Sequence, residues 1–145
     1  MIDELQSSLV IPPSTDKDVL EVGCGTGLIL ERVAKHARRA EGIDLSPGML
    51  SIANQRGLSV QEASATKLPF EDNCFDVSYS FKVLSHVQDV PMALAEMSRV
   101  TKPGGRVFVE LYNRHSLRYL IRRMRGGEKI NAEIDDNQVF VRFYS

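Results

Sequence analysis

The stretch DVLEVGCGTGLILERVA constrains the fold of this chain most, because it places three glycines between an apolar run and a helical pattern. Residues 19–22 predict a short buried strand, and residues 28–34 repeat apolar side chains at helical spacing. Gly23, Gly25 and Gly27 lack a Cβ atom, so their backbone can pass very close to another group. The sequence therefore predicts a strand, a glycine-rich turn and a helix, with a ligand site at the turn.

Strands and helices alternate along the rest of the chain. Further strands are predicted to end at Asp44 and to cover residues 58–62, 75–81 and 106–112. Ser46 and Asp89 stand just before prolines and are predicted to cap the next two helices. This pattern indicates an α/β fold, a doubly wound and mostly parallel sheet with helices on both faces. Ligands in such sheets lie beyond the carboxyl ends of the strands, where the glycines are placed.

The composition is typical of an ordinary soluble protein. The 145 residues suffice for one domain, predicted over residues 1–145, and 43% of them are hydrophobic. The formal charge of −1 gives no reason to expect nucleic acid or a membrane as a partner, and no apolar run is long enough to span a bilayer. Cys24 and Cys74 form neither a metal-ligand set nor a disulfide framework. We therefore expect no metal and a reducing, cytoplasmic setting.

The glycines could serve a phosphate, a dinucleotide or another ligand. A phosphate-binding loop needs a lysine after its last glycine, and Leu28 and Ile29 follow Gly27 instead. The dinucleotide fingerprint needs a third glycine where Leu28 stands, which weakens that interpretation. Asp44 ends the second predicted strand and could bind ribose hydroxyls of either kind of nucleotide cofactor. The residues alone thus exclude a phosphate-binding loop and leave the ribose-containing cofactors open.

Four motifs in order resemble class I S-adenosylmethionine-dependent methyltransferases of the small-molecule type, which includes quinone-biosynthesis enzymes. They are LEVGCGTG, GIDLSPGML, ATKLPFEDNCFDVSYSFKVLSHVQD and EMSRVTKPGGRVFVEL, within residues 18–112. The resemblance implies a Rossmann-like, three-layer αβα sandwich. It also implies S-adenosyl-L-methionine as cofactor, S-adenosyl-L-homocysteine as product, and methyl transfer to a small-molecule O, N or C nucleophile.

The resemblance also assigns candidate cofactor-binding residues. Asp44 would accept hydrogen bonds from the ribose diol, and Glu21 would lie near the amino-acid end of the cofactor. Met49 would pack on the adenine, and Ser64 stands where the family usually has an aspartate that accepts from the adenine amino group. The full set is Glu21, Gly23, Cys24, Gly25, Gly27, Asp44, Leu45, Met49, Ser64, Ala65, Thr66 and Phe81.

The residues after the fourth and fifth predicted strands are expected to face the methyl acceptor. His86 and Tyr112 are the candidates for a general base or an acceptor contact. The family's N/D-P-P-Y motif, which holds planar amino groups of nucleobases and glutamine, is absent, since the fourth strand ends SYSFKVL. A small molecule, and no nucleic acid, is therefore the expected acceptor.

The C-terminal part is harder to interpret. Residues 16–113 resemble the family's core, and residues 114–145 are expected to form an incomplete, apparently truncated substrate-side segment without the family's usual C-terminal strand pair. Residues 115–125 carry an apolar and an arginine stripe, which fits either a solvated helix face or a surface for acidic partners. The segment QVFVRFYS is expected to cover the edge of the fifth strand, either in parallel within one chain or by exchange in a homodimer.

Three functions remain open at this point. The first is a small-molecule methyltransferase. The second is an S-adenosylmethionine-binding module or remnant without turnover. The third is an NAD-dependent oxidoreductase, which the leucine at position 28 and the adenine-loop motif both disfavour.

Overall fold

A computed structural model describes residues 2–111, 130–135 and 138–144 of the protein. The helices are α1 (Ile2–Ser14), α2 (Leu28–Ala34), α3 (Pro47–Gln55) and α4 (Val90–Val100), with a 3₁₀ turn at Leu84–His86. The strands are β1 (Asp18–Val22), β2 (Arg39–Asp44), β3 (Ser59–Glu62), β4 (Phe75–Ser80), β5 (Thr101–Leu111), β6 (Ile130–Asp135) and β7 (Gln138–Tyr144).

The strands form one sheet in the order β3-β2-β1-β4-β5-β7-β6. The first five strands in this order are parallel, as the sequence predicts. The chain moves outward from β1 to β3, then returns to β4 beside β1 and moves outward on the other side. This reversal of strand order lies between β1 and β4, and it opens a crevice at the carboxyl ends of those two strands.

Helices cover both faces of the sheet because the buried strands carry apolar side chains on both sides. On one face, Val19 and Tyr79 pack with Val10 of α1 and Val33 of α2. On the opposite face, a second core contains side chains of β1, β5 and α4, namely Leu20, Val22, Val107, Val109, Ala93, Leu94, Met97 and Val100. The predicted three-layer, Rossmann-like αβα sandwich is confirmed.

The C-terminal strands correct two expectations. β7 pairs with β5 in antiparallel fashion, from Arg106↔Tyr144 to Leu111↔Val139, so the parallel pairing predicted for QVFVRFYS is wrong. β6 pairs antiparallel with β7, so the sheet does carry a C-terminal strand pair, which the sequence analysis expected to be lacking. Only two residues connect β6 to β7, and so short a connection forces neighbouring strands to be antiparallel.

β7 also covers the edge of β5 within the same chain, so the edge on which a homodimer was expected is not free. The predicted amphipathic helix at residues 115–125 lies outside the described residues. Cys24 and Cys74 are both free thiols, as predicted. Within the described ranges, no helix is long and apolar enough to cross a membrane.

Candidate functional site

The glycine-rich loop after β1 is fastened to β2. The backbone N–H groups of Gly23 and Cys24 both donate to the carbonyl oxygen of Ile43, at 2.8 and 2.9 Å. Gly23 has a φ of +79°, and a Cβ atom there would lie 2.2 Å from Val83. Gly25 has a φ of +54°. A Cβ atom added there would have the Met49 sulfur as its nearest neighbour, at 3.5 Å. Gly23 is therefore needed for close packing, whereas Gly25 leaves open space above the loop.

Asp44 at the end of β2 holds this loop in shape. Its Oδ2 atom accepts from the Gly25 N–H and its Oδ1 atom from the Ser46 N–H, both at 2.9 Å. A carboxylate offers about four lone-pair positions, so both oxygens can accept further hydrogen bonds. Asp44 thus fixes the loop and still presents acceptor capacity to a ligand.

A cavity of about 850 Å³ lies over this loop. This volume is near the upper end of the range of about 300–1,000 Å³ for small-molecule pockets. The cavity brings together these predicted cofactor-binding residues: Glu21, Gly23, Cys24, Gly25, Asp44, Leu45, Met49, Ser64, Ala65, Thr66 and Phe81. His86 lines it too, whereas Tyr112 lies outside the described residues.

Gly27 is the predicted site residue that does not line the cavity. It precedes the first residue of α2 with a φ of +82°, and a Cβ atom there would lie 2.3 Å from the Leu58 side chain. Gly27 therefore lets α2 approach the segment before β3. The third glycine of the dinucleotide fingerprint likewise allows a helix to pack closely on its neighbours.

Glu21 is a buried carboxyl group in the cavity wall. The Tyr79 hydroxyl donates to its Oε2 atom at 3.1 Å, and both side chains are buried. Loss of solvation raises the pKa of Glu21 to about 8, although the hydrogen bond from Tyr79 acts in the opposite direction. A cationic group of a ligand near this carboxyl would favour its ionised form.

Cys24 lines the same cavity beside Glu21, but it is a poor nucleophile. Its sulfur packs against Gly42, where a Cβ atom would lie only 2.8 Å away. Burial raises the pKa of the Cys24 thiol to about 12, so the thiolate is scarce at neutral pH.

The loop after β3 brings Ser64–Thr66 to the opposite wall, and α4 holds it there. The Arg99 guanidinium donates to the carbonyl oxygens of Phe70 at 2.8 Å and Leu68 at 3.2 Å. Glu96 pairs with Arg99 at 2.7 Å and accepts from the Leu68 N–H at 2.8 Å. Ser64 itself accepts from the Thr66 N–H at 3.2 Å, and the two hydroxyls share a hydrogen bond of 2.8 Å.

Helix α1 closes the side of the cavity near β4 and β5, which sequence reasoning missed. Asp3 and Gln6 line the cavity from this helix. The Lys82 ammonium donates to Asp3 Oδ1 at 2.9 Å, and this bond lowers the pKa of Asp3. Lys82 has a φ of +62°, an uncommon conformation for a lysine. The local signals that could have revealed α1 are the acidic first turn at Asp3 and Glu4 and the buried positions 6 and 10 at helical spacing.

The polar groups of the cavity fit a nucleoside ligand without phosphates. Of the described lining residues, only Lys82 is a lysine or arginine, and its ammonium pairs with Asp3. The Asp44 carboxylate borders the glycine loop instead, which disfavours a pyrophosphate there. The apolar side chains of Met49 and Phe81 provide surface for a flat ring.

Comparisons with known proteins agree with this chemistry. Residues 20–109 match the family described as "Methyltransferase domain". A demethylmenaquinone methyltransferase of Mycobacterium marinum is 42% identical over 105 residues, which cover 72% of this chain and 44% of that protein. A malonyl-[acyl-carrier protein] O-methyltransferase of Serratia marcescens is 31% identical over 128 residues, covering 85% of this chain and 50% of that protein.

The fold is shared with solved structures over almost the whole chain. The S-adenosylmethionine-dependent methyltransferase of Mesorhizobium loti superposes with a TM-score of 0.80 at 17% identity, covering 99% of this chain and 97% of that one. The curated relatives are longer, and the chain spans half of their length or less in the two cases above.

Proposed function

The chain belongs to the methyltransferase domain family, whose fold implies S-adenosyl-L-methionine as the cofactor, and from this premise we propose that it methylates a small-molecule O, N or C nucleophile. The observation that carries the proposal is the cavity in which a glycine loop, Asp44 and Glu21 converge beside space for a second ligand. The bound cofactor would supply a methyl group that its sulfonium has already activated.

The chain's own residues fit that cofactor at several points. The open space over Gly25 admits a ribose and amino-acid tail, because no side chain other than Met49 approaches within 4 Å of the missing Cβ. Asp44 would accept from the ribose diol with the lone pairs left by Gly25 and Ser46. Glu21 would lie near the ammonium group of the amino-acid end, and Ser64–Thr66 near the adenine. We assign Leu45, Ala65 and Phe81, which line the same cavity, apolar contacts with the cofactor.

The acceptor would lie on the side of the cavity near β4. His86 is exposed at the end of the 3₁₀ turn after β4 and lines the cavity. We assign it the role of general base or acceptor contact, since a hydroxyl nucleophile loses its proton during transfer and a protonated amine must lose one before it can attack. Tyr112 keeps the same proposed role from the sequence. The main work of the protein is then to align the acceptor and to exclude water.

Two further proposals come from the sequence. We propose that residues 1–145 act as one cofactor-binding domain, with no nucleic-acid partner. The free thiols of Cys24 and Cys74 agree with a reducing, cytoplasmic setting.

A turnover experiment tests the proposal. The protein is incubated with S-adenosylmethionine carrying a labelled methyl group and a panel of phenols, quinols and amines, and labelled products are counted. Transfer to at least one acceptor is expected, with a reduced rate in His86→Gln and an unchanged rate in Ser8→Ala, an exposed position on α1. Binding of S-adenosylhomocysteine without any transfer would favour the alternative, a cofactor-binding module. Binding of NADH instead would favour an oxidoreductase.

A further inference from the structure

Gln6 is a polar side chain at a fully buried position of α1. The buried face of this helix contains Val10 one turn later and packs on β4. Gln6 has no exposed surface, although glutamine is mostly exposed in proteins. Its Nε2 group donates to the Glu110 Oε2 atom of β5 at 2.7 Å, and this hydrogen bond is itself buried. The bond joins residues 104 positions apart in the sequence.

The other polar atom of the Gln6 amide is left over. Gln6 Oε1 is buried and has no hydrogen-bond partner in the part of the chain that the structure describes. A carboxylate only accepts hydrogen bonds, so Glu110 fixes the amide with its nitrogen towards β5. A flip of the Gln6 amide, which would exchange its nitrogen and oxygen, would lose the hydrogen bond to Glu110. A buried carbonyl without a partner is unfavourable, and such a group calls for an explanation.

The position of Gln6 indicates what its oxygen would bind. Gln6 is one of the residues that line the cavity, so its buried amide belongs to the wall that a ligand would contact. Its partner Glu110 lies on β5, two strands from β1 in the sheet order, which is a distance of about 10 Å. The proposed cofactor contacts lie mainly after β1, β2 and β3. Gln6 is therefore on the side left for the acceptor, and it follows Asp3, the partner of Lys82, by three residues on the same helix.

We propose, on the basis of the proposed methyltransferase function, that Gln6 Oε1 recognises the methyl acceptor by accepting a hydrogen bond from its O–H or N–H group. Glu110 is the positioning residue that keeps the amide oxygen available. An acceptor that carries such a donor satisfies the buried carbonyl. An analogue without the donor leaves it unpaired and is rejected. The site thus selects acceptors with a hydroxyl or amino group rather than purely apolar ones.

Matched pairs of probes test this selection by binding. The complex of the protein with S-adenosylhomocysteine is titrated with phenols, quinols and anilines, and with their O-methyl and N,N-dimethyl counterparts. For at least one pair, the O–H or N–H member is expected to bind about tenfold more tightly. Gln6→Met, which keeps the length of the side chain without its polar atoms, is expected to abolish this preference. Ser8→Ala in the same helix should retain it, and denaturant unfolding checks that each variant is folded.

Glu110 variants separate positioning from structure. Glu110→Met should lose the preference because the amide is no longer oriented. Glu110→Gln should recover it, since an amide oxygen can still accept from Gln6 Nε2. In all four variants the affinity for S-adenosylhomocysteine should stay within about twofold of the wild-type value.

Other outcomes would overturn the assignment. Absence of any preference in the wild-type complex, or its persistence in a folded Gln6→Met variant, would show that Gln6 does not recognise the acceptor. A tenfold loss of S-adenosylhomocysteine affinity in Gln6→Met would place this residue at the cofactor instead. Failure of the wild-type protein to bind S-adenosylhomocysteine would count against the proposed function, a result distinct from failure of the Gln6 assignment.

Discussion

The Tyr79 hydroxyl of β4 donates to the Glu21 Oε2 atom of β1 at 3.1 Å, and both side chains are buried. Burial raises the pKa of Glu21 from 4.5 to about 8. Between these values the folded protein keeps a proton that the unfolded chain releases. The stabilisation from this group is therefore complete below about pH 4.5 and is lost as the pH rises through about 8.

Replacement of Glu21 tests this pH dependence. Glu21→Gln keeps an oxygen for Tyr79 but cannot ionise. We expect the free energy of unfolding of wild type to fall relative to Glu21→Gln between pH 5 and 8, by at most about 1.4 kcal/mol per pH unit. Urea unfolding at several pH values measures the difference, with the same substitution at an exposed position, Glu62→Gln, as the control. A difference that stays constant over this range would mean that Glu21 is ionised in the folded protein.

The close packing of Gly23 predicts a strong effect of a single methyl group. Gly23→Ala places a Cβ atom 2.2 Å from Val83 and forces alanine into a left-handed φ of +79°. The conformation alone costs about 1–2 kcal/mol, and the displaced Val83 adds to this. Gly48→Ala in α3 is the matched control, because a Cβ atom there has no neighbour within 4 Å. Urea midpoints should fall for Gly23→Ala and stay or rise for Gly48→Ala; equal midpoints would contradict the loop geometry.

Arg99 is expected to contribute more to stability than other arginines of the surface. Arg99→Ala removes hydrogen bonds to two loop carbonyls and to Glu96, which predicts a loss of about 1.5–3 kcal/mol. Arg56→Ala removes one ion pair with Glu31, and such surface pairs contribute about 0–1 kcal/mol. Unfolding free energies measure both. A smaller loss for Arg99→Ala than for Arg56→Ala would show that α4 does not hold the loop.

The parallel half of the sheet could be predicted from sequence because its signals are local. Ser46 caps α3 by accepting from the Met49 N–H at 3.4 Å, and Asp89 caps α4 by accepting from the Met92 N–H at 3.1 Å. Both caps are visible as a polar residue just before a proline-containing helix start. β5 begins at Thr101, earlier than predicted, because Thr101 pairs with Phe75. The register of this pairing shifts before Arg106 pairs with Val77. The glycines 104 and 105, which lie in this stretch, gave no sign of a strand in the sequence.

The antiparallel end of the sheet and the acceptor side of the cavity could not be predicted, because both depend on contacts between residues far apart in the sequence. β5 and β7 pair in antiparallel fashion. Their apolar and polar side chains alternate in the same way when read forwards or backwards, so the sequence does not fix whether the two strands run parallel or antiparallel. α1 was missed because Pro12 and Pro13 lie within it. Gln6 bonds to Glu110, 104 residues away, and no local pattern connects the two.

The most direct test of the account is a calorimetric titration with S-adenosylhomocysteine of wild type, Asp44→Ala and the exposed control Glu62→Gln. Wild type and Glu62→Gln should bind one equivalent with the same dissociation constant, and neither should bind NADH. Asp44→Ala should bind more weakly by about 1.5–3 kcal/mol, or roughly ten- to a hundredfold, the range for hydrogen bonds to a charged group. No binding by wild type, or an unchanged dissociation constant in a folded Asp44→Ala variant, would contradict the assignment of this cavity to the cofactor.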